Sequence, residues 1–272
     1  KIDKKIFLEV VKSLVKYNII DQKEFDITAI VTRQGEHKVG VFPISIDYDE
    51  FFNQANSEEV SKMTQEIKEG YPGQKIILGI DRLDYSKGIP QRLKAYRALL
   101  EENPKLRKKV KLIQIMVPSR EDIIKYASLK KEIEELIGEI NGKFSQLGWI
   151  PIQYFYHSLN RVELLSYYKA SDIALVTPLK DGMNLVAKEY CAANTDKDGV
   201  LILSEFAGTK HQFNKDALIV NPFDKKSVVD GIKKALLMKT QEKQKRMENM
   251  QNILKNFDVY WWVDRFLKAA KM

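Results

Sequence analysis

The chain has 272 residues, 44% of them hydrophobic, enough for one large domain or two small ones with an ample core. Lys and Arg number 45 against 37 Asp and Glu, a net charge of +8. The lysines are interleaved with glutamates along helices, as at Lys130, Lys131, Glu132, Glu134 and Glu135, and no basic cluster is set among aromatics, which disfavours nucleic-acid binding. The longest apolar runs (111–117, 172–176 and 200–203) are far too short to cross a bilayer, and no secretory signal opens the chain. The single Cys191 excludes an internal disulfide, and a cytoplasmic setting is expected.

In chain order, Lys4–Tyr17 carries Ile6, Phe7, Val10, Leu14 and Tyr17 near helical spacing and reads as an amphipathic helix. Two short strands are expected at Ile27–Val31 and Val39–Phe42, separated by the turn-like Arg33-Gln34-Gly35-Glu36. One helix and two strands bury their apolar faces poorly, so residues 1–45 read as part of another domain or a cap on the main one.

From Lys75 to Phe223, apolar runs alternate with helical stretches. Strands are expected at Lys75–Ile80, Lys111–Val117, Ile150–Phe155, Asp172–Thr177, Val200–Ser204 and Ala217–Val220. Helices are expected near Pro90–Glu102, Glu121–Ile140, Arg161–Ala170, Asn184–Asn194 and Lys225–Met238. Continuous apolar strands alternating with helices specify an α/β fold, a Rossmann-like parallel sheet with helices on both faces. Residues from Gln241 onward read as helical, and Phe257, Tyr260, Trp261, Trp262 and Phe266 require a surface to pack on.

Ligands of open parallel sheets sit beyond the carboxyl ends of the strands. After the first long strand comes Asp81-Arg82-Leu83-Asp84-Tyr85-Ser86-Lys87-Gly88, where Arg82 and Lys87 put two cations at a helix entrance. They suit a diphosphate, because both fall where such a fold places its ligands; the bland alternative is a surface turn with solvated cations. After the second comes Pro118-Ser119-Arg120, where Arg120 suits a second phosphate or an ion pair with Glu121 or Asp122. After the fourth comes Thr177-Pro178-Leu179-Lys180-Asp181-Gly182-Met183-Asn184-Leu185-Val186-Ala187-Lys188-Glu189. There Asn184 can cap a helix whose first amides, at Leu185 and Val186, favour a phosphate or sugar hydroxyl. Asp181 can take a sugar hydroxyl or stabilise an oxocarbenium-like charge. Glu189 can accept from ribose hydroxyls. The bland alternative is an ordinary capped helix with Lys188 and Glu189 on a wet face.

His37, His157 and His211 are dispersed, and no metal site is expected. Gly138 to Gly142 is not a dinucleotide fingerprint, Cys191 has no visible activating partner, and Ser204 lacks nucleophile-elbow spacing.

Together with Val39 to Asp47, Ile140-Asn141-Gly142-Lys143, Leu201 to Gly208 and Ile219-Val220-Asn221-Pro222, these stretches resemble the trehalose-6-phosphate synthases, retaining glycosyltransferases of GT-B fold. The departures are small: Ser45 stands where Gly is usual and Glu139 where Arg is common. The resemblance implies glucosyl transfer from UDP-glucose to glucose 6-phosphate, giving trehalose 6-phosphate and UDP, with no metal and no other cofactor. It assigns Arg82 and Lys87 to the UDP diphosphate, Arg120 to the acceptor's phosphate and Asp181 to the donor glucose. Gly182, Met183 and Asn184 line the same sugar, Leu185 and Val186 give amides to the phosphate, and Glu189 takes the ribose.

The likeness covers the carboxyl-terminal, donor-binding part of the family. Residues 1–45 are then expected to be a remnant of the amino-terminal acceptor domain, 46–255 the donor-binding domain, and 256–272 a helix packing back toward the amino-terminal domain. The missing domain or a homo-oligomer is the expected partner, with no nucleic acid and no membrane. Two alternatives stay open: another phosphorylated acceptor such as glycerol 3-phosphate, or a non-catalytic module that binds a nucleotide sugar.

Overall fold

The computed structural model describes residues 2–14, 18–22, 27–32, 35–119 and 123–271. The chain divides into two compact units, Lys1–Ile44 with Phe257–Met272, and Ser45–Asn256.

The first unit begins with helix α1 (Ile2–Leu14), followed by a three-stranded antiparallel sheet of β1 (Asn18–Gln22), β2 (Ile27–Thr32) and β3 (Gly35–Val39). Residues 15–17 of the expected first helix lie outside the described residues, and its Ile6, Phe7 and Val10 are exposed. The expected strand at Val39–Phe42 is displaced: pairing closes at Thr32 opposite Gly35, so β3 starts earlier and ends at Val39. Beyond it, Phe42 packs on helix α11 (Val259–Ala270) instead. The Phe42 carbonyl accepts the Trp262 indole N–H at 3.0 Å, and the Phe42 ring stands edge-on to Phe266 at 5.3 Å.

The second unit opens with two helices that periodicity did not reveal, α2 (Tyr48–Ala55) and α3 (Glu58–Glu69), capped by the side chains of Asp47 and Ser57. Six strands follow: β4 (Lys75–Arg82), β5 (Val110–Val117), β6 (Ile152–Phe155), β7 (Ile173–Val176), β8 (Val200–Ser204) and β9 (Leu218–Val220). All neighbours pair in parallel, in the order β6-β5-β4-β7-β8-β9. The intervening helices are α4 (Ile89–Glu102), α5 (Ile124–Phe144), α6 (Arg161–Ala170), α7 (Val186–Ala193), α8 (Lys210–Phe213) and α9 (Lys225–Leu237), with α10 (Thr240–Asn256) after them.

Helices cover both faces because the strands are apolar on both. Ile77, Leu112, Ile173 and Ile202 point into a core with α4, α5 and α9. Ile76, Leu78, Ile113, Ala174 and Leu203 point into a second core with α2, α3, α6, α7 and α10. Cys191 is buried in the second core, its Sγ 3.8 Å from the Met250 sulfur, and burial pushes its thiol far above the usual range.

The strand order places a topological switch point between β4 and β7: the chain winds outward from β4 through β5 to β6, then returns to the other side of β4. The β4–β7 register runs over Ile77↔Ile173 and Leu78↔Ala174. Further along, the side chain of Arg92 from α4 links the strands. Its Nη1 donates to Asp81 Oδ2 at 2.7 Å and to Gln114 Oε1 at 3.2 Å, and its Nε donates to Thr177 Oγ1 at 3.0 Å. The side chains of Arg92 and Asp81 are 0% and 2% exposed. Gly79 makes room for them, since a Cβ there would lie 2.7 Å from Arg92 Nη1 and 2.6 Å from Gln114 Oε1. Burial holds the Asp81 carboxyl above its usual range even with Arg92 beside it.

Removing one partner of such a pair strands a buried charge. Arg92→Met is expected to lower the unfolding free energy by about 3–5 kcal/mol in a urea titration, and adding Asp81→Leu is expected to recover most of that loss.

Candidate active site

Three loops meet at the carboxyl ends of β4, β7 and β8. The first leaves β4 at the exposed Arg82 and makes a single 3-10 turn, Tyr85–Lys87, with Asp84 Oδ1 accepting from Ser86 N at 2.8 Å. The turn ends at Gly88, whose φ of +65° suits glycine and whose Cβ, if present, would sit 2.7 Å from the Thr177 carbonyl oxygen. Pro90 in the first turn of α4 then commits the chain to helix.

The second loop runs from Thr177 to Leu185 and is bonded to the first by its backbone, Leu179 N to Ser86 O at 2.7 Å. This brings Lys87 to Asp181: Nζ donates to Oδ2 at 2.6 Å, with side chains only 14% and 15% exposed. Asn184 Nδ2 donates to the same Oδ2 at 3.0 Å, while its Oδ1, one residue before the N-cap Leu185, accepts from the first-turn amide of Ala187 at 3.0 Å. The helix starts at Val186, two residues later than expected. The third loop clamps the second from the other side. Gly208 N donates to Asp181 O at 2.8 Å, and the Thr209 hydroxyl donates to Asn184 O at 2.8 Å.

The Thr177–Glu189 stretch is therefore more than a capped helix on a wet face. Lys188 is 2% exposed, and burial pulls its ammonium down to about 8. Glu189 accepts the Tyr168 hydroxyl on Oε2 at 2.8 Å. Burial raises the Glu189 carboxyl above its usual range, and the Tyr168 hydrogen bond and the Arg161 charge draw it partly back. Arg161 is itself held over the Phe51 ring at 3.6 Å, with Gln54 Oε1 at 2.9 Å and Glu50 Oε1 at 3.3 Å from its nitrogens.

Of the sequence-derived site residues, Lys87, Asp181 and Asn184 are in direct contact, and Leu185 and Val186 open the helix beside them. Gly182 and Met183 are exposed at the rim of the same loop, Met183 at 72%. Arg82 is exposed at the end of β4 and makes no ion pair among the described residues; Arg120 lies outside them. The sequence reading overlooked Arg92, Tyr168 and Arg161. The signal for Arg92 was present: it shares the apolar stripe of Ile89, Leu93 and Tyr96, where a charge has to find a buried partner. Tyr168 and Arg161 had no local signal.

Chemically, the junction offers a cation in Lys87, a helix amino terminus at α7 and a fixed carboxylate in Asp181, which is the equipment for an anion next to a polyhydroxyl group. Among the described residues, no group of three or more His, Cys, Asp or Glu side chains is placed to hold a metal ion. Among the described residues, no helix is long and apolar enough to cross a membrane.

A carboxyl whose folded-state value is raised adds stability only at low pH and loses it as pH rises through that folded value. Glu189→Gln is therefore expected to melt at a higher temperature than the native chain at pH 7. The difference should vanish below the ordinary glutamate range, where Glu189 is protonated in both folded and unfolded chains; thermal melts across pH check it.

The glycosyltransferase family 20 model matches residues 2–272. The α,α-trehalose-phosphate synthase [UDP-forming] A of Dictyostelium discoideum is 42% identical over 231 residues, which are 85% of this chain and 31% of that protein. An α,α-trehalose-phosphate synthase (UDP-forming) from Burkholderia xenovorans, solved in complex with glucose-6-phosphate, superposes with a TM-score of 0.92 at 34% identity, over 98% of this chain and 58% of that one. An E. coli structure described as trehalose-6-phosphate bound with UDP-2-fluoro glucose superposes with a TM-score of 0.91 at 35% identity, over 100% of this chain and 59% of that one. The chain thus spans about a third of the Dictyostelium protein and under three fifths of the solved chains. With the family model matching residues 2–272, the chain belongs to glycosyltransferase family 20.

Proposed function

We propose that this chain is the donor-binding part of a UDP-forming α,α-trehalose-phosphate synthase, which moves glucose from UDP-glucose to glucose 6-phosphate with retention of configuration. The observation that carries the reading is the Lys87–Asp181 pair at 2.6 Å, set at the switch point beside the amino terminus of α7. Lys87 and Arg82 neutralise the diphosphate, and the Leu185 and Val186 amides add donors to the phosphate nearer the sugar. Asp181 takes the donor glucose hydroxyls, with Gly182, Met183 and Asn184 along the same sugar, and Glu189 takes the ribose. Arg120 is assigned to the 6-phosphate of the acceptor.

In the transfer, the bond from glucose C1 to the phosphate oxygen breaks as the acceptor hydroxyl oxygen bonds to C1 on the same face. The acceptor's proton passes to the departing phosphate oxygen, so no protein nucleophile is required. Charge developing on the departing UDP is met by Lys87, Arg82 and the helix amides, groups already in place before reaction. The reading uses no metal. Its acceptor wall comes from an amino-terminal domain like that of the full-length relatives, or from a second copy, and a cytoplasmic setting fits the unpaired Cys191.

Calorimetric titration with UDP tests the donor site. The chain is expected to bind UDP weakly, and Arg82→Ala is expected to weaken binding by about tenfold, the usual loss for a charge-assisted contact. Unchanged affinity in the variant would refute the diphosphate assignment. The isolated 272 residues are expected to form trehalose 6-phosphate slowly or not at all, which product analysis with UDP-glucose and glucose 6-phosphate checks.

A further inference from the structure

Glu189 is held by another helix. Tyr168, on α6, is 1% exposed, and its ring stands edge-on to Tyr190 of α7 with centroids 6.3 Å apart. The packing of two helices therefore fixes where the phenol oxygen sits. Burial and the neighbouring carboxylate push the phenol well above its usual range, so it is a donor at neutral pH. A carboxylate offers about four acceptor positions over its two oxygens. Tyr168 occupies one of them, on Oε2 at 2.8 Å, and so fixes the direction of the rest.

The other charged groups around the pair are themselves committed. Arg161, also from α6, acts on both Tyr168 and Glu189 and is tied to Glu50 of α2. Asp81 of β4 acts on Tyr168 and is paired with Arg92. From α10, Gln251 gives its amide to the carbonyls of Cys191 and Asn194 at the other end of α7. Tyr168 is thus the group that both touches Glu189 and orients it.

We infer that Tyr168 is a positioning residue for the nucleoside: its hydroxyl aims the Glu189 carboxylate so that the remaining acceptor positions meet the vicinal hydroxyls of the ribose. The inference rests on the assignment of Glu189 to the ribose in the preceding subsection. Phenylalanine at 168 would keep the ring packing and remove only the donor, leaving a largely buried carboxylate free to rotate and easier to protonate.

The test uses the whole chain with three probes, UDP, 2′,3′-dideoxy-UDP and inorganic pyrophosphate, titrated against the native protein, Tyr168→Phe and Glu189→Gln. Tyr168→Phe is expected to weaken UDP by about tenfold while leaving the dideoxy analogue and pyrophosphate unchanged. Its UDP affinity is also expected to fall off at a higher pH than that of the native chain, because Glu189 has lost a bond that favours its charged form. Equal weakening of all three probes, or loss of a cooperative thermal melt, would make Tyr168 merely structural and overturn the inference. So would an intact preference for UDP over the dideoxy analogue in Tyr168→Phe when Glu189→Gln has lost that preference; the ribose assignment would then stand alone. If Glu189→Gln keeps the preference, the ribose assignment itself falls and the inference falls with it.

Discussion

In a doubly wound sheet the connections leaving the strands on either side of the switch point run in opposite directions, and here one buried guanidinium ties the two strand ends together. Arg92 reaches from α4 to Asp81 on β4, Gln114 on β5 and Thr177 at the end of β7. Everything at the site descends from this link. Asp81 immediately precedes Arg82, and Thr177 opens the loop that carries Asp181. Burying the pair is costly: Asp81 is held above its usual range, and Nη2 of Arg92 has no hydrogen-bond partner among the described residues. A well-packed pair of apolar residues of the same volume would be about as stabilising. What the ion pair supplies is direction, since a planar guanidinium fixes acceptors on two strands and at the start of the loop after a third.

The same pattern continues outward from the switch point. Glu189 is raised by burial, Lys188 is pulled down to about 8, and the phenol of Tyr168 is confined between α6 and α7. Charged groups held against their solvation preference cluster here, at the ends of β4 and β7 and in the first turn of α7. Such arrangements reduce stability and are characteristic of binding and catalytic sites. The surface ion pairs along the helices, such as Lys130–Glu134 and Lys268–Asp264, are of the ordinary solvated kind and contribute little.

Much of this was legible in the sequence, and the exceptions have physical reasons. The six strands of the second unit are continuous apolar runs because helices cover both faces, and such runs stand out without any alignment. Helix α3 did not stand out, because its sequence is polar nearly throughout and buries only Val60 and Thr64. Val39–Phe42 looked like one strand because it is largely apolar, but Val39 ends β3 opposite Thr28, and Phe42 packs on an aromatic helix far along the chain. Among the candidate site residues, Lys87, Asp181 and Asn184 stood out because each lies in a loop just after a strand, and Arg82 because it ends one. Arg92 and Tyr168 act across 85 and 21 residues respectively, on Thr177 and Glu189, and no local spacing encodes such pairs.

The central claim is that the loops leaving β4 and β7 form one nucleotide-sugar site, and a crystal structure of the chain with UDP-glucose tests it most directly. The diphosphate is expected against Lys87 and Arg82 at the amino terminus of α7, the hexose on Asp181 to Asn184, and the ribose at Glu189. A nucleotide bound on another face of the sheet, or a hexose out of reach of Asp181, would contradict it.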